Sequence, residues 1–203
     1  MEALLDGKPR LHFWDGEWQD GGLSDDMLRA LFQLACTVGD RDAGVILETG
    51  AGLSTLAFLA SAPSRVIAVA PNQDLRDRIV AEATRLGLDG PSLDFHVGRS
   101  EDVLPDLAKV DAAFVDMALV DGGHGMPTVF VDFCYVNKVL KNGGYLALDD
   151  IQLHSVRQLY LLLKNQPGFA VVAHHGKLVV LQKTDDRCFL PEWGKQPFVV
   201  LNS

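Results

Sequence analysis

The chain has 203 residues, of which 48% are apolar and 22% are charged, a composition typical of one globular domain with a sizeable core. Its 27 acidic residues outweigh 18 basic ones, which gives a formal charge of -9, and no basic cluster stands out. Nucleic acid is therefore not an expected partner, because most of the surface repels a polyanion. No apolar run reaches the ~18 residues of a membrane span, so no membrane partner is expected either.

Cysteine usage and the first residues bear on the cellular compartment. Cys36, Cys134 and Cys188 are odd in number and far apart in sequence, so they predict neither a disulfide framework nor a zinc site. The first residues also lack the basic and apolar pattern of a secretory signal. We therefore expect reduced thiols and a cytoplasmic protein.

The first 23 residues are predicted to be an irregular arm. They contain Phe13, Trp14 and Trp18, aromatic residues suited to covering a site or contacting a second subunit, and they are compatible with a homodimer. Ser24 then offers a helix cap, and the following apolar residues from Met27 to Ala35 lie on one helical face.

From residue 44 onward, strand-type and helix-type segments alternate. The predicted strands are Val45–Leu47, Arg65–Ala70, Leu93–Val97, Ala112–Val120 and Tyr145–Leu148. The predicted helices are Thr55–Ala60, Leu75–Leu86, Glu101–Leu107, a helix that begins at Pro127, includes Leu140 and stops at Asn142–Gly144, and Ser155–Lys164. Short joints between them predict parallel strands with helices on both faces.

The end of the chain has a different pattern. Phe169–Ala173 and Lys177–Gln182 predict an antiparallel pair joined by a turn at His174–Gly176. The predicted fold is thus α/β, a doubly wound, Rossmann-like and mostly parallel sheet that ends in an antiparallel hairpin. No linker divides the chain, so we predict a single domain over residues 1–203, with an arm at 1–23 and a core at 44–183.

A glycine-rich segment follows the first parallel strand and opens a helix. In Glu48–Thr55, Gly50 and Gly52 allow the backbone to approach a ligand, and the helix start offers N–H donors to an anionic group. A nicotinamide dinucleotide site needs a third glycine and an acid at the end of the second strand. Thr55 and Ala70 occupy those positions, which disfavours a dehydrogenase.

Acidic residues gather at the ends of the fourth and fifth strands. Asp121, Asp149 and Asp150 meet there because neighbouring strands are about 5 Å apart. Their mutual repulsion favours a hard cation such as Mg²⁺, although Asp150 also suits a helix cap. If the fourth strand ends early, Asp116 is the acid at this edge instead of Asp121.

The segment ETGAGLST at residues 48–55 resembles motif I of class I S-adenosylmethionine-dependent methyltransferases, and the resemblance covers roughly residues 44–183. It implies the strand order 3-2-1-4-5-7-6 and S-adenosylmethionine as cofactor. The ribose-binding acid of that family is missing at Ala70, where Asn72 or Asp74 is the substitute. The cofactor contacts that the resemblance implies are Glu48, Gly50, Gly52, Ser54, Thr55, Asn72, Gly98, Ser100, Glu101 and Asp121.

Within that class, the acidic segment resembles the metal-dependent O-methyltransferases of the catechol and macrolide-sugar kinds. Those enzymes hold a metal with an acid after strand four and a pair of acids after strand five; Asp149 follows Asp121 by 28 residues. The resemblance implies that Asp121, Asp149 and Asp150 bind a divalent metal. It makes His124, three positions after Asp121, the base for a small-molecule hydroxyl.

Other functions stay open at this point. The chain is also compatible with a methyltransferase that works without metal, and with a non-catalytic nucleotide-binding protein on the same fold. The methyl acceptor is not predicted, because it is selected by the arm, by the Gly125–Thr128 loop and by the tail around Trp193.

Overall fold

A computed structural model of the protein describes residues 1–39, 44–88, 90–109 and 112–185. Cys188 and the tail around Trp193 lie outside the described residues. The helices are α1 (Glu2–Asp6), α2 (Asp25–Gly39), α3 (Leu53–Ala60), α4 (Gln73–Arg85), α5 (Ser100–Leu107), α6 (Thr128–Val139) and α7 (His154–Lys164). The strands are β1 (His12–Trp14), β2 (Glu17–Gln19), β3 (Val45–Thr49), β4 (Arg65–Ala70), β5 (Leu93–Val97), β6 (Val115–Val120), β7 (Leu140–Leu148), β8 (Phe169–His175) and β9 (Leu178–Lys183).

Seven strands form one sheet in the order β5-β4-β3-β6-β7-β9-β8. The pairs from β5 to β7 are parallel, and β9 is antiparallel to both of its neighbours. Counted along the sheet's own strands, this is the order 3-2-1-4-5-7-6. The predicted Rossmann-like fold is therefore confirmed.

Helices cover both faces of this sheet because its strands are apolar on both sides. Ile46 of β3 packs in a cluster with α2, α3 and α4, whereas its neighbour Leu47 packs in a second cluster with α5, α6 and α7. Successive side chains of a strand point to opposite faces, so one strand contributes to two cores. Among the described residues, no helix is both long enough and apolar enough to cross a membrane.

The N-terminal arm is ordered, and the prediction that it is irregular was wrong. It contains α1 and a hairpin of β1 and β2. In this hairpin Phe13 pairs with Trp18, and the centroids of their rings are 5.3 Å apart. Asp15 and Gly16 form the turn with positive φ angles of 54° and 82°. An Asp-Gly pair between strand-type residues is a strong hairpin signal, so this hairpin is predictable from the sequence.

Two boundaries near the far edge of the sheet differ from the prediction. Helix α6 ends at Val139, and Leu140 is already the first residue of β7. Asn142–Gly144 lies inside that strand, where Lys141 to Gly144 bulge opposite Asp116 and Gly143 has a φ of +80°. The glycines therefore mark a bulge and not a helix stop.

The last hairpin also turns later than predicted. His174 and His175 belong to β8 and pair with β9, so the turn is at Gly176 and Lys177. Gly176 has a φ of +61°, the conformation that a tight turn requires there. This places Lys177 at the tip of the hairpin.

Asp116 has a structural position that excludes it from the acidic edge. It is the second residue of β6, at the opposite end from Asp121, and its Oδ2 accepts a hydrogen bond from Val45 N at 3.0 Å. Lys141 Nζ donates to both carboxylate oxygens at 2.8 and 2.9 Å. Asp116 thus fixes the start of β3 and the bulge of β7.

We expect Asp116→Ala to lower the free energy of unfolding by about 1–2 kcal/mol, because it leaves Val45 N and Lys141 without their acceptor. Asp116→Asn is the matched control; it keeps an acceptor for Val45 N and should lose about half as much. Urea denaturation measures both. Equal stability of the wild type and Asp116→Ala would contradict this role.

Candidate functional site

The hydrogen-bonded ladder of the sheet continues one residue beyond three parallel strands. Gly50 N donates to Val69 O of β4 at 2.9 Å, and Asp121 N donates to the last carbonyl of β3 at 3.0 Å. Asp149 N likewise donates to the last carbonyl of β6 at 3.2 Å. The glycine loop and two of the predicted acids are therefore side by side at the carboxyl edge of the sheet.

A cavity of about 720 Å³ opens at this edge. Most of the residues that the sequence selected line it: Gly50, Gly52, Ser54, Ser100, Glu101, Asp121, His124, Asp149 and Asp150. Four do not line it: Glu48, Thr55, Asn72 and Gly98. The carboxyl edge of an open parallel sheet is where this fold binds ligands, so this cavity is the candidate active site.

Gly50 is required by close packing. Its φ is +85°, and a Cβ at this position would come within 2.3 Å of Asp121 O. Any larger residue would push the loop away from the neighbouring strand end. The glycine thus keeps the loop and the acidic edge in one cavity.

Glu48 fixes the conformation of the glycine loop by accepting hydrogen bonds from it. Its side chain is fully buried and accepts hydrogen bonds from the hydroxyls of Ser54, at 2.7 Å, and of Thr55. The Thr55 hydroxyl in turn accepts a hydrogen bond from Gly52 N at 3.0 Å. Burial raises the pKa of Glu48 to about 7, although the hydrogen bonds from Thr55 and Ser54 act to lower it.

The segment after β4 has no acid at Ala70, where the resemblance implies a ribose-binding one. Asn72, a proposed substitute, already has a hydrogen-bond partner in its own helix. Asn72 is the N-cap of α4, and its Oδ1 accepts a hydrogen bond from Leu75 N at 2.9 Å. Ala70 and Pro71 line the cavity. This wall is therefore mostly apolar.

The loop after β5 contributes a polar wall. Glu101 lines the cavity, and its Oε1 accepts a hydrogen bond from the Thr128 hydroxyl at 2.6 Å. This bond is the main reason that the pKa of Glu101 is lower than usual. Ser100 is nearly buried beside it. Gly98 does not line the cavity, and its N–H donates to Ala70 O at 3.1 Å.

Asp121, His124 and Asp150 converge on the other side of the cavity. His124 Nε2 is 3.1 Å from Asp150 Oδ2 and 3.6 Å from Asp121 Oδ1. One donor atom from each of the three residues lies within 4.8 Å of the others. Burial, followed by the charge of Asp149, raises the pKa of Asp121 well above its usual value.

Asp149 does not belong to this group of donor atoms, although it was predicted as a metal ligand. It is almost fully buried, and its Oδ2 accepts a hydrogen bond from Lys177 Nζ at 2.9 Å. Burial raises the pKa of Asp149, and Lys177 partly offsets that effect. The same ammonium group donates to Asp150 Oδ1 at 2.6 Å.

Two residues that line the cavity, Lys177 and His12, were not predicted from the sequence as site residues. The imidazole of His12 lines the cavity, and a Cβ on Gly52 would come within 2.8 Å of its Nε2. Asp20–Leu23 of the arm lines the cavity as well. Arg78 of α4 holds the arm in place, since its Nε donates to Leu11 O at 2.8 Å. The arm is thus a wall of the site, but its exposed aromatic residues Phe13 and Trp18 do not line the cavity.

The fold and the cavity define a Rossmann-like protein with a glycine loop and an acidic edge. A family model described as a methyltransferase domain matches residues 47–151, more than half of the chain. The chain therefore belongs to this methyltransferase-domain family, and the resemblance to class I S-adenosylmethionine-dependent methyltransferases is confirmed. No curated protein sequence matches it significantly.

Solved structures share the fold at low sequence identity. The O-methyltransferase TomG from Streptomyces achromogenes, involved in tomaymycin synthesis and solved with S-adenosylmethionine, is 20% identical; the match covers 81% of this chain and 82% of TomG, with a TM-score of 0.69. An O-methyltransferase from Bacillus cereus, solved with S-adenosylhomocysteine, is 18% identical over 80% and 83% of the two chains, with a TM-score of 0.64. A methyltransferase from Geobacter sulfurreducens is 17% identical over 80% of each chain, with a TM-score of 0.65.

The raised pKa of Glu48 predicts a pH-dependent stability. Its folded-state pKa of about 7 exceeds the ordinary value of 4.5, so between these pH values the folded state retains a proton that the unfolded state releases. Stability therefore falls as pH rises through this window. From pH 5 to pH 8 the free energy of unfolding should fall in the wild type. We expect this fall to be smaller by about 2 kcal/mol in Glu48→Gln.

Urea denaturation of the ligand-free protein at the two pH values measures this effect. Other titrating groups contribute equally to the wild type and the variant, so the difference between them isolates Glu48. An identical pH dependence in both proteins would show that Glu48 titrates normally.

Proposed function

We propose that this protein transfers the methyl group of S-adenosylmethionine to a hydroxyl oxygen of a small molecule. The observation that carries the proposal is that one cavity contains both the glycine loop and the cluster of Asp121, His124 and Asp150. A cofactor site and a group able to accept a proton are the two parts that such a transfer needs.

In this proposal the cofactor binds along the glycine loop. The start of α3 offers N–H donors to the cofactor's carboxylate, as helix starts do for anions. Ala70 and Pro71 contact the adenosine on the apolar side, and Ser100 and Glu101 contact the adenine on the polar side. The complexes of TomG and of the Bacillus cereus enzyme support this choice of cofactor.

His124 is the proposed proton acceptor. The acceptor hydroxyl gives its proton to the imidazole ring while its oxygen forms a bond to the methyl carbon and the carbon–sulfur bond breaks. S-adenosylhomocysteine then leaves with the electron pair on sulfur. Asp150 and Asp121, at 3.1 and 3.6 Å from Nε2, stabilise the positive imidazolium that results.

A divalent metal fits the same cluster. Asp121 and Asp150 offer carboxylate oxygens and His124 offers a nitrogen, and their donor atoms are close enough to share one ion. Such an ion, Mg²⁺ in our proposal, lowers the pKa of an acceptor hydroxyl. His124 would be a ligand of the ion in the metal-assisted reaction and is the proton acceptor in the metal-free reaction, so the two reactions assign different roles to it.

The second candidate function is methyl transfer without a metal, and the ion pairs of Lys177 favour it. Its ammonium group already offsets the charges of Asp149 and Asp150, which a metal would otherwise do. In that case the acids orient the substrate and His124, and turnover needs no added ion.

The test is transfer of a labelled methyl group from S-adenosylmethionine to a set of phenols and sugars by the wild type, His124→Gln and His154→Gln. His154 is exposed at the start of α7, so its variant is the matched control. We expect His124→Gln to lower kcat by about 10²–10⁴-fold and His154→Gln to leave it unchanged.

Calorimetry with S-adenosylhomocysteine should give the same affinity for all three proteins, because His124 acts on the acceptor. Full turnover by His124→Gln would refute its proposed role. A chelator separates the two versions of the reaction: it abolishes turnover only if the metal takes part.

A further inference from the structure

Lys177 places a fixed positive charge inside the acidic edge. It lies at the tip of the β8–β9 hairpin, and its side chain is 25% exposed. Its carbonyl accepts a hydrogen bond from Ile151 N at 3.1 Å, which ties the tip to the segment after β7. Burial acts to lower the pKa of Lys177, but the hydrogen bonds to Asp150 and Asp149 raise it above its usual value.

The two oxygens of Asp150 face different side chains. Oδ1 accepts a hydrogen bond from Lys177 at 2.6 Å, whereas Oδ2 faces His124 at 3.1 Å. An ion that uses the cluster of Asp121, His124 and Asp150 would therefore share one carboxylate with the ammonium group. Asp149, the most buried of the three acids, pairs with Lys177 through Oδ2 and contributes no donor atom to that cluster.

We infer that Lys177 is an internal counter-cation that competes with a divalent metal for Asp149 and Asp150 and so keeps the metal affinity of this site low. The inference rests on the proposed function only for the location of the site. It assigns to Lys177 a regulating role: the resting protein has its acids balanced by its own side chain, and a metal binds against that charge.

Repulsion between cations grows as they approach, and Lys177 is close to the oxygens that would bind a metal ion. A divalent ion beside Asp150 would be held within a few ångströms of the ammonium group, and at such distances in a partly buried site the repulsion between the two cations weakens binding of the ion. Lys177 also pairs with Oδ2 of Asp149, an oxygen that would otherwise be a strong ligand for a hard cation. Removing the charge of Lys177 removes the repulsion and frees a carboxylate.

The experiment compares two substitutions at the same position. Lys177→Gln keeps an N–H donor for Asp149 and removes the charge, whereas Lys177→Arg keeps the charge. Lys141→Gln is the control, because Lys141 also pairs with an aspartate, Asp116, at the opposite end of the sheet. Binding of Mn²⁺ alone is measured by electron paramagnetic resonance of the free ion, with circular dichroism to show that each variant is folded.

We expect the Mn²⁺ dissociation constant to fall about tenfold or more in Lys177→Gln and to stay at the wild-type value in Lys177→Arg and Lys141→Gln. Equal or weaker binding by folded Lys177→Gln would overturn the inference. So would equally tight binding by Lys177→Arg.

A second comparison covers the case in which Lys177→Gln does not fold. The double variant Asp149→Asn/Lys177→Gln contains no unpaired buried charge at residue 149 and is compared with Asp149→Asn. Tighter Mn²⁺ binding by the double variant supports the inference, and equal binding overturns it. Because the readout is metal binding, a failure to find methyl transfer would refute the proposed function and leave this result unaffected.

Discussion

The site depends on a backbone constraint: the ladder of the sheet extends past the ends of its central strands. The hydrogen bonds of Gly50 N and Asp121 N to neighbouring strand carbonyls bring the glycine loop and the acidic edge into direct contact. That contact tolerates no Cβ at residue 50, since the carbonyl of Asp121 occupies the space. The glycine loop and the cluster of Asp121, His124 and Asp150 are thus adjacent because of main-chain geometry, before any side chain takes part.

Charge is the second constraint. Three aspartates at the ends of two adjacent strands repel one another, and the pKa of Asp121 is raised as a result of burial and of this crowding. The chain relieves the repulsion with Lys177, from the tip of the last hairpin, whose ammonium group pairs with Asp149 and Asp150. The same charges that make the edge suitable for a metal therefore also bind a cation of the protein itself.

The sequence predicted the parts of this structure that depend on local pattern. Alternating apolar segments were sufficient to predict the fold, and the glycine loop, the acidic strand ends and the family resemblance were sufficient to predict nine of the residues that line the cavity. The partners of Lys177 and Asp149 were not predictable, because they depend on how a hairpin tip and a strand end 28 residues apart meet in space. The arm hairpin was predictable from Asp15 and Gly16. The start of β7 was not, because an apolar residue such as Leu140 suits both a helix and a strand.

The most direct measurement is a crystal structure of the protein with S-adenosylhomocysteine. The account predicts density for the adenosyl group between the glycine loop and Ala70, with the sulfur facing Asp121 and His124. A loop closed by side chains, or a ligand bound away from the carboxyl edge of the sheet, would contradict it.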